Sequence, residues 1–133
     1  MNSTVLNLYN VSFNNIIIDD NNGLNAYTKK LASSSNYLLG SFLTSWNSVE
    51  EIDEELLPTI EIILNGTQQN DYTDSAIVWV DIYPNITKFY KSGAGVTIDL
   101  NFPDYEIPTS DFKEIVLSWR EFLSSSPLNK TTL

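Results

Sequence analysis

Two spacings of apolar residues divide the chain. Phe112, Ile115, Val116, Trp119, Phe122 and Leu123 fall at i, i+3, i+4, i+7, i+10 and i+11, one face of a helix of about four turns. Pro108-Thr109-Ser110-Asp111 just before them is a helix start, with Thr109 or Ser110 as cap. A core helix is therefore expected over about 109–124, followed by a polar tail over 125–133 that frays. Upstream, Ala76, Val78, Val80 and Ile82 alternate with Ile77, Trp79, Asp81 and Tyr83, the period-two pattern of a strand. Pro84-Asn85 marks a turn, Ile86 to Lys91 a second strand, and Ser92-Gly93-Ala94-Gly95 a second turn. Val96, Ile98, Leu100 and Phe102 alternate with Thr97, Asp99 and Asn101 and read as a third strand. Together these strands predict an antiparallel β-meander with one apolar face, covered by the C-terminal helix.

The middle of the chain carries a second helical pattern. Val49, Ile52, Leu56, Ile60 and Ile63 keep helical spacing. Ser48 and Glu51 match a capping box, and Asn65-Gly66 supplies a stop. Pro58 inside the pattern predicts a kink, or two short helices. Thr67 to Asp74 reads as a polar loop. Toward the N-terminus, Thr4 to Phe13 reads as a strand and Ile16 to Ile18 as a short second one. Asp19-Asp20-Asn21-Asn22-Gly23 is a turn cluster, and Leu24 to Ser35 allows a short helix through Tyr27 and Leu31. Tyr37 to Trp46 fits a strand bulged at Gly40 or a helix. The fold class expected is α+β, in one domain over 1–133.

Charge and composition narrow the function. The 133 residues include 17 acidic and 7 basic ones, no His and no Cys, for a formal charge of −10. Without Cys there are no disulfides, thiolate nucleophiles or Cys-ligated metals. Without His the commonest general base and metal ligand are missing. The negative charge disfavours binding to nucleic acid or to an anionic membrane. No apolar run is long enough to span a bilayer, and Met1 to Asn10 lacks the pattern of a signal peptide, so a cytoplasmic protein is expected.

Little in the sequence points to catalysis. Asp81 and Asp99 are the best-placed carboxylate pair for glycoside hydrolysis, which needs two acids about 5–9.5 Å apart. On the meander they read first as solvated face residues. Asp19-Asp20, or Asp71 with Asp74, have acid density without the alternating ligands of a calcium loop. Lys29 and Lys88 have no Ser partner motif, and Gly93-Ala94-Gly95 precedes no helix, so it is a hairpin turn rather than a dinucleotide loop. No catalytic residue, cofactor or metal is assigned. The residues left over suit binding. Trp79, Asp81, Tyr83, Tyr90 and Asp99 place aromatics beside acids on one sheet face, unless Trp79 and Tyr83 lie under the N-terminal strands. The acidic run Glu50, Glu51, Asp53, Glu54 and Glu55 is a helix-end feature or a steering patch for a cationic protein.

The segments E-I-P-T-S-D-F-K-E-I-V-L-S-W-R-E-F-L and S-V-E-E-I-D-E-E-L-L-P-T-I-E-I-I-L-N-G give the chain a resemblance to small acidic bacterial immunity proteins of polymorphic-toxin and contact-dependent growth inhibition systems. The resemblance covers residues 48–64 and 75–123. It implies a cognate protein toxin with a basic surface, often a nuclease, neutralised by occlusion and not by chemistry. The family shares no catalytic motif, so it carries no residue role over. A secretion adaptor or chaperone for an effector, a small carboxylate-based enzyme, and a nucleic-acid mimic remain alternatives.

Overall fold

The computed structural model describes residues 1–18, 27–75 and 77–125, apart from the side chains of Ile18 and Tyr27. The turn cluster over 19–23 and the tail beyond 125 lie outside the described residues.

The N-terminal run opens as a helix, α1 (Ser3–Leu8), where a strand is expected. Two Asn residues decide this. The Asn2 side chain accepts from the Val5 amide at 3.2 Å and caps the start. Asn10, at φ 52°, takes the left-handed position that ends it, and the Val11 amide donates to the Leu6 carbonyl at 2.8 Å. Then β1 (Ser12–Ile18) pairs antiparallel with β2 (Tyr27–Ser33), with Phe13 opposite Ala32. The residues around Tyr27 and Leu31 are thus a strand and not a short helix.

Tyr37 to Ser45 is helical (α2), capped by Asn36, whose side chain accepts from the Leu38 amide at 3.0 Å. Leu38, Leu39, Phe42 and Leu43 are buried on its inner face. Gly40 is the point of close approach to β2: a Cβ there would meet the Ser33 Cα at 3.1 Å. Thr44 Oγ1 joins the two elements, accepting from the Ala32 amide at 3.0 Å and donating to its carbonyl at 3.1 Å.

Pro58 falls in the first turn of a second helical segment, after a π-helical turn. The path runs through α3 (Val49–Glu51), a π-helical turn (Ile52–Leu56) and α4 (Leu57–Leu64) with right-handed helical backbone at both joins. The Leu57 amide reaches back to the Ile52 carbonyl, five residues away. That wide turn makes room for the proline ring and for the bond its nitrogen cannot make. Ser48 caps the start, accepting from the Glu51 amide at 3.3 Å, and Gly66, at φ 81°, ends the run.

Four strands, β3 (Asp71–Asp74), β4 (Val78–Ile82), β5 (Ile86–Lys91) and β6 (Tyr105–Pro108), form an antiparallel meander in that order. Two differ from the sequence expectation. β3 lies in the polar stretch 67–74, where an edge strand needs few apolar residues. Val96 to Phe102 is a loop, and Tyr105–Pro108 takes its place beside β5. The Asp99 side chain accepts from the Asn101 amide at 3.0 Å, a local turn that competes with strand pairing. Ile107, in contrast, is buried in the core.

From Pro108 the chain enters α5 (Thr109–Ser124) directly. Neither Thr109 nor Ser110 caps it. Thr109 turns inward instead, donating to the Tyr83 carbonyl at 2.5 Å and lying 2.8 Å from the Thr87 hydroxyl. Phe112, Ile115, Val116 and Trp119 are fully buried against the inner face of the sheet, α2 and α4. Phe42, Phe89 and Phe112 meet pairwise with ring centroids 5.7–6.2 Å apart. Lys30 of β2 closes the far end of α5, donating to the Phe122 and Ser125 carbonyls at 2.7 Å each, where a cation complements the helix dipole. The class is α+β, with a helical layer on one face of the meander. Among the described residues no helix is long and apolar enough to cross a membrane.

Candidate functional site: the outer face of the meander

Alternation along β4 sorts its side chains. Val78, Val80 and Ile82 point into the core with no exposure. Trp79 and Asp81 point to the face that the helices leave uncovered. The register then builds two rows across that face. Tyr72, Asp81, Lys88 and Glu106 are successive cross-strand partners, as are Asp74, Trp79 and Tyr90. Tyr72 and Trp79 are diagonal neighbours and stack, with centroids 4.4 Å apart and planes 10° from parallel. Tyr83 follows at the end of β4, with the Lys88 ammonium 5.2 Å from its ring centre.

The face is not a row of solvated acids. Asp81 is only 6% exposed, and no hydrogen bond or ion pair of regular geometry reaches it among the described residues. Burial raises the pKa of its carboxyl group; the Trp79 indole N–H and the Lys88 charge act against that rise. The same indole nitrogen is buried without a hydrogen-bond partner of regular geometry. Donor and acceptor are therefore neighbours, close enough to feel each other but not joined. Tyr90 is also buried, and its hydroxyl donates to the Leu100 carbonyl at 3.2 Å. Its burial raises its pKa, with the surrounding acids adding to the rise.

That contact brings the loop between β5 and β6 to the edge of the face. The Lys91 amide donates to Asp104 at 2.8 Å and fixes the other end of the loop. Val96, Leu100 and Phe102 stand out from it, with Phe102 74% exposed. Tyr90, Val96, Ile98, Phe102 and Asp104 line a shallow cleft there.

The structure thus brings Trp79, Asp81, Tyr83 and Tyr90 together, and corrects two of them from exposed to buried. Asp99 does not lie on a strand beside Asp81: the cross-strand partner of Asp81 is Lys88, and Asp99 sits in the loop. The Asp81–Asp99 carboxylate pair does not form on one strand face. Glu50, Glu51, Asp53, Glu54 and Glu55 are exposed in the helical layer, on the other side of the sheet, so they belong to a separate surface. Asp53 there is held by Arg120 through bonds of 2.7 and 2.8 Å, which lower its pKa. Asp71 accepts from the Tyr72 amide at 2.8 Å. Among the described residues no group of three or more acidic side chains is placed to hold a metal ion.

Sequence reasoning missed Tyr72, Leu100 and Phe102. The signal for Tyr72 was an aromatic between two Asp residues in an otherwise polar stretch. For Leu100 and Phe102 the alternation was visible but suggested a buried face. The chain matches no family model, no curated protein and no solved structure.

Proposed function

We propose that the protein is an immunity protein that binds a cognate toxin with a basic surface and neutralises it by occlusion. The observation that carries this reading is the outer face of the meander. Stacked aromatics and the exposed loop residues Leu100 and Phe102 stand there among Asp74, Asp81, Asp99, Asp104 and Glu106, on a chain of net charge −10. Aromatic anchors within a polar rim are the composition of a protein-binding surface, and the rim here is mostly acidic, with Lys88 among it. The charge steers a basic partner toward it and raises the association rate by about 10–10³-fold at low salt. A nuclease presents such a basic site to its substrate, so covering that site is enough to stop it. The resemblance of residues 48–64 and 75–123 to immunity proteins points the same way.

A second reading, an adaptor for a secreted effector, draws on the exposed Val96, Leu100 and Phe102. An adaptor of that kind takes amphipathic segments by apolar contact, with little response to salt. Affinity capture from native cells, coupled to mass spectrometry, separates the two. Immunity predicts a stoichiometric basic protein whose capture falls with salt, and whose toxicity in a host cell is suppressed by co-expression of this chain. A salt-insensitive partner belonging to a secretion machine, with no toxicity to suppress, contradicts it.

A further inference from the structure

We infer that Asp81 is the seat for an arginine side chain of the protein partner, entering beside the Tyr72–Trp79 stack. This rests on the proposed basic partner and names the contact that partner makes. Four observations meet at the residue. Asp81 is 94% buried by its 6% exposure, yet accepts no regular hydrogen bond and joins no ion pair among the described residues. Its oxygens are not among the enclosed atoms without a partner, so they reach the surface with little water around them, where a cation stabilises the charge. The nearest cation does not pair with it: the Lys88 ammonium lies over the Tyr83 ring at 5.2 Å and makes no ion pair with Asp81. Next to the carboxylate, the Trp79 indole nitrogen is a buried donor that favours the charged carboxylate without reaching it in a bond of regular geometry. Finally, the wall of the seat is aromatic, with Tyr72 and Trp79 stacked and Tyr83 and Tyr90 beyond.

These features suit a guanidinium better than an ammonium. Its plane stacks on an aromatic shelf, and its fork gives a carboxylate two parallel hydrogen bonds. Tyr72 and Lys88 flank Asp81 in its row, and Tyr72 is 58% exposed. With the cation in place, the carboxylate charge is paired and stays oriented toward the Trp79 N–H. The chain alone holds the anionic half of a pair, and the partner brings the other half.

The test uses the full chain and three short peptides: acetyl-Gly-Arg-Gly-amide, its citrulline counterpart of equal shape without charge, and its lysine counterpart. The reporter is the Trp79 indole N–H in a nitrogen–proton correlation spectrum, assigned by its loss in Trp79→Phe from among the 3 tryptophans. The expected result is a saturable shift of that signal with the arginine peptide, with binding weaker by about tenfold or more for citrulline, and by a smaller factor for lysine. Asp81→Asn abolishes the arginine preference, and Asp74→Asn on the same face keeps it. Equal shifts for arginine and citrulline, an unchanged response in Asp81→Asn, or no saturable shift at all overturns the seat. If Asp81→Asn fails to fold, Tyr72→Ala takes its place, expected to weaken the arginine peptide and not the citrulline one. Toxin capture fails or succeeds independently of these peptides, so failure of the seat and failure of the immunity reading are told apart.

Discussion

The ring of Tyr72 in β3 lies flat on the indole of Trp79 in β4, 4.4 Å between centroids and 10° from parallel. The two are not direct cross-strand partners; each is opposite an Asp on the other strand, Tyr72 across from Asp81 and Trp79 across from Asp74. The stack therefore bridges two acids. Because Tyr72 is 58% exposed, it is a shelf open to a partner as well as a packing contact.

Removing the shelf should separate stability from binding. An aromatic pair is worth about 0.5–1.5 kcal/mol beyond its buried area, so Tyr72→Ala lowers stability by about that amount plus the modest area term of a ring that is 58% exposed. As an interface anchor it costs about 2 kcal/mol of binding, or roughly 30-fold in Kd. Urea unfolding and calorimetric titration with the captured partner measure the two. A large stability loss with unchanged affinity would make the stack a structural feature only.

Asp81 gives a stability prediction of unusual sign. Its pKa is raised mainly by burial, so the folded state binds the proton more readily than the unfolded state. The contribution of the group to stability is then full below the ordinary Asp pKa of about 4 and is lost as pH rises through the raised folded value. At neutral pH the ionised carboxylate weighs against the fold. Asp81→Asn should therefore raise Tm at pH 7 and reduce the loss of stability between acid and neutral pH, while weakening partner binding. A lower Tm at pH 7 together with an unchanged pH profile would contradict it.

The acidic run in the helical layer should act at a distance. Replacing Glu50, Glu51, Glu54 and Glu55 with Gln slows association with the basic partner and leaves dissociation unchanged, since steering changes on-rate and contact changes off-rate. Asp53 is left out because Arg120 already holds it. Stopped-flow rates at two salt concentrations check this. A faster dissociation in the Gln variant would place the run inside the interface.

Trp119 tests the anchor of the fold. It has no exposure, and its indole N–H donates to the Trp46 carbonyl at 2.7 Å, pinning the loop before α3 to α5. Trp119→Ala should destabilise by about 3–5 kcal/mol. Trp119→Phe keeps most of the packing but leaves the Trp46 carbonyl without this donor, at about 1–3 kcal/mol. Equal melting of wild type and Trp119→Ala would refute the helix-face assignment.

How much of this was written in the sequence depends on which force decides each element. α5 and β5 follow from periodicity, because each has one side packed on the core and a clear boundary residue. The Ser48 cap follows from local chemistry. Alternation failed where two segments compete for one strand edge. Val96 to Phe102 has the better pattern, but Asp99 turns it back on itself, and the shorter Tyr105–Pro108 wins through Ile107. Thr4 to Phe13 failed for a similar reason, since the Asn2 and Asn10 signals at its ends outweigh an ambiguous run between them. The outer face was legible by side but not by depth. Period two says which way Asp81 points. It does not say that Tyr72, from a segment read as loop, stands beside it in the next strand.

One paired capture tests the outer face as the toxin-binding site. The tagged chain and its Tyr72→Ala/Asp81→Asn variant are drawn in parallel from native cells at low and high salt. The expected result is one basic protein, stoichiometric with the wild type at low salt, depleted at high salt and lost with the variant, and toxic to cells that lack this chain. The same partner held equally by both forms at both salt concentrations would contradict the outer-face site. No basic partner at all would contradict the immunity function.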